Sequence, residues 1–369
     1  MTRAAQSNSK QYEVLVVGAG PAGLTAALRA AKLGLSVQII DKAKPARQRS
    51  SPAWIGPAGV ALCEAMGLKS GPFATAFRGL RLFSSDFKKT AEVGEAALRG
   101  WIVDRAAFDA ALLKLAEKAG AKLVAGAPPS AVRLGESAVA IELARGESAS
   151  GQIAVIADGV ESQTAKLAGV APPAMQLSRC AVAEWDITGG KPALDVVVLS
   201  GRAALIACVV RSASRVRVSL LGRDPQADVE SALNALVQAG QSTCVLPKAQ
   251  PALRIVYPSP AGVALDVESH VGKRCLLCGD AGGFVAAFSN EGIYPAMKSG
   301  VIAADVVQRA LQSRVPQDEL ATFGAAWRTE LAEYLRMPNT DLALLVPLVF
   351  SNAQMSKRVA QAFLLGQSF

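Results

Sequence analysis

One histidine, His270, serves a chain of 369 residues, and it stands in a polar loop just before Gly272. No Ser/His/Asp or Cys/His constellation is present, and no paired-carboxylate signature replaces one. With a single His and one lone CxxC, Cys275 and Cys278, zinc is not expected. Six cysteines in this length are no disulfide framework. The CxxC pair lies in a strand-like run and reads as small buried apolar side chains. Aromatics make up 5% of the chain, and no basic stripe interleaves with them, so nucleic acid is not the expected partner. No apolar run approaches the ~18 residues of a membrane helix. The longest, Leu342 to Phe350, is about half that and contains Pro347. The first dozen residues are polar, without a signal peptide's apolar core. A cytoplasmic protein is expected, any membrane contact being peripheral. Chemistry in such a chain falls to a cofactor.

What is present suits a large two-domain globular protein: 51% of residues are hydrophobic and 19% charged. The net charge is +9, with loose basic clusters at Lys42 to Arg49 and Arg211 to Arg223. A solvated surface explains them. So does attraction of an anionic substrate, a phosphate-bearing cofactor or an acidic membrane face.

Glu13 to Val17 form a short apolar run, as a buried parallel strand requires, and end at Gly18, Gly20 and Gly23. Gly18 permits the tight bend, Gly20 lets backbone approach a pyrophosphate, and Gly23 lets the next helix pack on the strand. That helix starts near Pro21 and Ala22, where free N–H groups and the helix dipole favour phosphate. Gly34 ends it. Ser36 to Ile40 then form a strand delivering Asp41, beside Lys42, eighteen residues after Gly23. A carboxylate there accepts hydrogen bonds from ribose hydroxyls. Strand, turn, helix, second strand and acid at these spacings make a dinucleotide site.

Three later stretches complete a pattern. One is Cys278-Gly279-Asp280-Ala281-Gly282-Gly283, followed by Asn290-Glu291-Gly292-Ile293-Tyr294-Pro295 and onward to Gly300. Another is Ala157-Asp158-Gly159 through Gly169, and the third is Val103-Asp104-Arg105 with Phe108, Asp109 and Leu112. The four ordered pieces span about half the chain. They resemble FAD-dependent oxidoreductases of the geranylgeranyl-reductase-like group, relatives of p-hydroxybenzoate hydroxylase and the flavin-dependent halogenases. The resemblance implies FAD, with Arg105 reaching it and Asp280, after Gly279, accepting from the ribityl hydroxyls. It also implies that the helix opening at Gly292 and Ile293 aims its amides at the flavin ring, and that Asp158 organises the site. Without the resemblance, Asp280 can also read as a helix cap and Asp158 as part of a tight turn, and a surface residue is the default reading of Arg105.

The expected fold is α/β: a Rossmann-like FAD-binding domain of discontinuous segments, an inserted antiparallel β-sheet substrate domain and a helical C-terminal tail. The cofactor domain takes residues 1–75, 99–168 and 270–315, the substrate domain 76–98 and 170–268, and the tail 316–369. Arg78 to Val93 reads as a hairpin and Asp228 to Gly240 as a helix on the inserted sheet. The crowded apolar residues of Leu342 to Phe350 read as core, or as a rim for a lipidic substrate. Trp185, Phe284, Phe288 and Tyr294 are candidate pocket residues.

The implied activity is hydride transfer between flavin and an unsaturated, hydrophobic small molecule. With one GxGxxG, the electrons come from transiently bound NAD(P)H or from a donor protein. Hydroxylation through a flavin hydroperoxide is the alternative, halogenation a lesser one, and a non-catalytic flavin-binding protein the third. The halogenases' Trp-x-Trp-x-Ile-Pro and the reductases' Tyr-x-Trp-x-Phe-Pro are both missing from this chain.

Overall fold

The computed structural model describes residues 11–43, 52–171, 176–199, 204, 206–222, 224–339 and 342–367. Most of the Lys42 to Arg49 cluster, Arg223 and the side chains of Leu342 and Leu344 lie outside the described residues.

Two large sheets divide the molecule. The first runs Val271–Gly272, Cys275–Leu277, Ser148–Ile156, Gln11–Val17, Val37–Asp41 and Lys122–Ala125, with the hairpin of Pro129–Leu134 and Val139–Leu143 attached to Ser148–Ile156. Its four central pairings are parallel, with Val17 opposite both Ile156 and Ile40, and Ile156 opposite Leu277. This register decides where the site is. The residues that follow these strands (Gly18, Asp41 at its strand's end, Ala157 and Cys278) all arrive at one carboxyl edge, where open α/β sheets bind ligands.

Val14 to Val17, Ile39, Ile40 and Ile153 to Ile156 are buried, as strands covered on both faces require. Helices Pro21–Lys32 and Ile293–Gln312 cover one face, and they pack unusually closely. A Cβ at Gly300 would lie 2.3 Å from the Ala22 carbonyl oxygen, and Thr25 Oγ1 donates to the Met297 carbonyl at 3.1 Å.

The second sheet has seven strands in the order Leu253–Ser259, Ser178–Asp186, Arg215–Leu221, Ile206–Arg211, Ala193–Val198, Gly79–Ser84 and Thr90–Gly94. The hairpin segment therefore joins the inserted strands, as one parallel pair in an otherwise antiparallel sheet. A buried ion cluster clamps that join: Asp195, fully buried, accepts from Arg81 Nε at 2.7 Å and Nη2 at 3.1 Å and also pairs with Arg211. Alternation sends Val216, Val218 and Leu220 toward helix Val229–Ser242, and Arg215, Arg217 and Ser219 to the opposite face.

A three-stranded sheet of Pro52–Ile55, Gly100–Asp104 and Ala74–Phe77 lies between the two. The boundary expected at residue 75 falls inside Ala74–Phe77. In the tail, Pro316–Ala321, Phe323–Leu335, Leu342–Val349 and Ala353–Leu365 are helices. Pro347 sits inside the third of these instead of breaking it. Its apolar run is divided: Val349 is buried, whereas Leu348 is 46% exposed. No helix among the described residues is long and apolar enough to cross a membrane.

Candidate cofactor site

The first turn behaves as its three glycines require. Gly18 has φ +107°, and a Cβ there would stand 2.2 Å from the Ala157 carbonyl oxygen. A Cβ at Gly23 would lie 1.9 Å from the Gly18 carbonyl oxygen, so this glycine is needed by the fold. Gly20 differs: a Cβ there would meet nothing within 4 Å. Gly20 also caps helix Pro21–Lys32 without any side-chain bond to its first amides. The turn thus offers free N–H groups and open space together, as a pyrophosphate needs.

Asp41, 4% exposed, is fixed by the amides of Ala19 (2.6 Å to Oδ2) and Ala43 (2.7 Å to Oδ1). Asp158 spends its oxygens locally: Ser162 donates to Oδ1, and the Thr164 amide (3.0 Å) and hydroxyl (2.7 Å) donate to Oδ2. It therefore shapes the turn at Gly159.

A cavity of about 170 Å³ runs along this edge, lined by Gly18, Gly20, Pro21, Ala22, Asp41, Lys42, Asp158 and Gly279. A second, of about 290 Å³, is lined by Trp54, Val210, Arg217, Tyr257, Asn290, Glu291, Gly292 and Ile293. Pro21, Arg105, Asp280 and Ala296 line both. Sharing these four residues, the two adjoin as halves of one cleft. Gly23 lies behind it, packed on Gly18.

Charge is concentrated where the halves meet. Burial pushes the Asp280 carboxyl above its usual range, against the pull of Arg105. Arg105 loses solvation too, but Asp109 (Nε to Oδ1, 2.9 Å), Asp280 and Glu291 hold it protonated. Beside them Glu291 is 2% exposed. Its Oε1 accepts the amides of Ile293 (2.9 Å) and Tyr294 (2.8 Å), and its Oε2 accepts from the Tyr334 hydroxyl at 3.2 Å. Desolvation still dominates and raises its pKa to about 7. The expectation that Gly292 and Ile293 both offer amides to the flavin is corrected accordingly. Ile293 lines the cavity, but its N–H is engaged by the carboxylate that caps the helix.

The four aromatic pocket candidates line neither half of the cleft. Trp185 points to the far face of its sheet, with its indole N–H on the Ala249 carbonyl at 2.8 Å. Phe284 packs edge-on to Trp327 and Phe323. Tyr294 sits edge-on to Tyr334. Phe288 lines a separate cavity of about 140 Å³ with Ile206 and Met337. Trp54 and Tyr257 supply the aromatic wall instead. His270 is structural: buried against Phe284 and Trp327, it bonds the Gly282 carbonyl at 2.8 Å, and burial lowers its pKa to about 4.

Known proteins resemble this chain in sequence and in fold. The FAD binding domain family matches residues 13–61. Digeranylgeranylglycerophospholipid reductase of Methanocaldococcus jannaschii is 29% identical over 338 residues, covering 88% of this chain and 84% of that protein. The chain is an FAD-dependent oxidoreductase. Among solved structures, the oxidoreductase resembles a geranylgeranyl bacteriochlorophyll reductase-like protein of Thermoplasma acidophilum, with TM-score 0.74, 21% identity and 97% and 96% of the two chains covered. It also resembles PqsL of Pseudomonas aeruginosa in complex with 2-aminobenzoylacetate, with TM-score 0.70, 15% identity and 94% and 98% covered. At these identities the two structures speak for the fold alone.

Proposed function

We propose that this oxidoreductase transfers a hydride between FAD and an unsaturated, hydrophobic molecule, an isoprenoid lipid being the first to test. The observation carrying this reading is the match to a digeranylgeranylglycerophospholipid reductase along 88% of the chain. FAD supplies the hydride chemistry when bound. The chain's own residues do the rest. The turn at Gly20 and Asp41 hold the nucleotide end, and Asp280 and Arg105 sit midway along the cleft. Gly292 and Ile293, where helix Ile293–Gln312 opens, line the part of the cavity that would take the ring. Trp54 and Val210 give the cavity an apolar wall, and Arg217, Tyr257 and Asn290 a polar one. Electrons come from transiently bound NAD(P)H or from a separate donor protein.

Hydroxylation is the second reading, since its motifs largely coincide with those of the reductases and the Tyr-x-Trp-x-Phe-Pro motif, whose absence weakens isoprenoid reduction, is missing. One experiment separates the two. Dithionite-reduced holoprotein is mixed anaerobically with a geranylgeranylated glycerophospholipid in detergent, and flavin reoxidation is followed by absorbance. Reoxidation with loss of double bonds supports the reductase. Turnover that requires oxygen and releases peroxide supports the hydroxylase and refutes the reductase.

A further inference from the structure

Glu291 is a buried carboxyl in the wall of the larger cavity, immediately before the helix start that the flavin reading sets against the ring. Its Oε1 is committed to two backbone amides. Its Oε2 meets only a neutral phenol, Tyr334, itself edge-on to Tyr294. Around this part of the cleft stand Arg105, paired with Asp109, and Arg217, paired with Glu184, together with buried Asp280 and the thiol of Cys63. Arg215 also pairs with Glu184, so none of these guanidiniums is committed to Glu291. Electrons added to a flavin in that cavity place further negative charge beside a carboxylate that burial already disfavours. Burial raises the Glu291 pKa to about 7, within the physiological range.

We propose that Glu291 is the proton-holding residue of this site, binding a proton when the flavin beside Gly292 gains two electrons and releasing it when they leave. The proposal rests on the flavin reading. The external donor delivers a hydride, or two electrons with a proton from solvent, and a further proton from solvent forms an O–H bond on the carboxyl. When the electrons leave as a hydride, that bond breaks and the proton passes to the acceptor or back to solvent. Tyr334 tunes the equilibrium, because its hydroxyl stabilises the carboxylate form.

The test is the flavin midpoint potential measured against pH, by dithionite titration with indicator dyes, on FAD-loaded wild type, E291Q and Y334F. The wild-type potential is expected to fall more steeply with pH around neutrality than that of E291Q, since reduction takes up one further proton. Y334F should move the steep region to higher pH. Equal slopes in wild type and E291Q overturn the proposal. So does a Y334F profile that superimposes on wild type, an arm that holds should E291Q fail to fold. A colourless wild-type protein that refuses FAD overturns the flavin reading as well, and is told apart by its spectrum.

Discussion

The three glycines of the first turn fail in different ways when given side chains, and the difference is measurable. At Gly23 an alanine Cβ would stand 1.9 Å from the Gly18 carbonyl oxygen and 3.1 Å from Val16 Cγ1. Backbone must yield, not a flexible side chain, so Gly23→Ala should cost the apoprotein about 3 kcal/mol, the upper part of the overpacking range. That is a large share of a domain's ~5–15 kcal/mol. At Gly20 the backbone is extended (φ −91°, ψ −177°), a conformation valine adopts, and the added carbons enter empty space. Loss of glycine as helix cap costs at most ~1 kcal/mol. Gly20→Val therefore leaves an apoprotein of nearly wild-type stability, with a branched side chain where the pyrophosphate approaches. A clash of ~3 kcal/mol there weakens FAD about 100-fold. Urea unfolding of the apoproteins and fluorescence titration with FAD give both numbers. The reasoning is refuted if Gly20→Val unfolds as readily as Gly23→Ala, or if it binds FAD as wild type does.

Between about pH 5 and pH 8, buried Glu291 and His270 pull stability in opposite directions. Glu291, raised from 4.5 to about 7, favours folding while protonated, and that contribution is lost as pH rises through about 7. His270, lowered from 6.5 to about 4, favours folding while neutral, and its contribution is lost as pH falls toward about 4. Replacing Glu291 by Gln should leave an apoprotein that gains roughly 2 kcal/mol across that interval, against a flatter wild type, as read by urea midpoints. Asp195→Ala should cost about 3–5 kcal/mol, because it strands Arg211 and Arg81 at the join of the hairpin strand; an unchanged melting temperature would contradict this. Trp54→Ala should cost about 3–5 kcal/mol by calorimetry and open the larger cavity, the indole being 7% exposed.

Much of this site is legible in the sequence because parallel strands and glycine turns obey local rules. Gln11–Val17, Pro21–Lys32 and Val37–Asp41 follow from apolar runs and punctuation, and in-register pairing brings their ends together with Ala157 and Cys278. The inserted sheet is harder to read. Its strand Arg215–Leu221 alternates clearly, but alternation alone does not say which face meets the cofactor. Trp185 turned out to lie on the other one. Glu291 was visible within its motif, yet its character comes from burial and from Tyr334, a residue forty-three positions later. No spacing rule predicts such an encounter. The separate parts of Gly20 and Gly23, by contrast, are read from the motif itself.

Helix Ala353–Leu365 reaches back to the strand Pro52–Ile55. Phe363 stacks on Trp54 with centroids 5.0 Å apart, and a Cβ at Gly56 would press within 2.7 Å of the Leu364 carbonyl oxygen. The cavity wall is thus braced from behind by residues far downstream of it in the chain. A nascent chain that has already made every glycine turn still lacks the buttress. Proteolytic clipping after Asn352 should slacken the pocket while sparing the nucleotide end, dividing one molecule into a part that grips and a part that loses its shape.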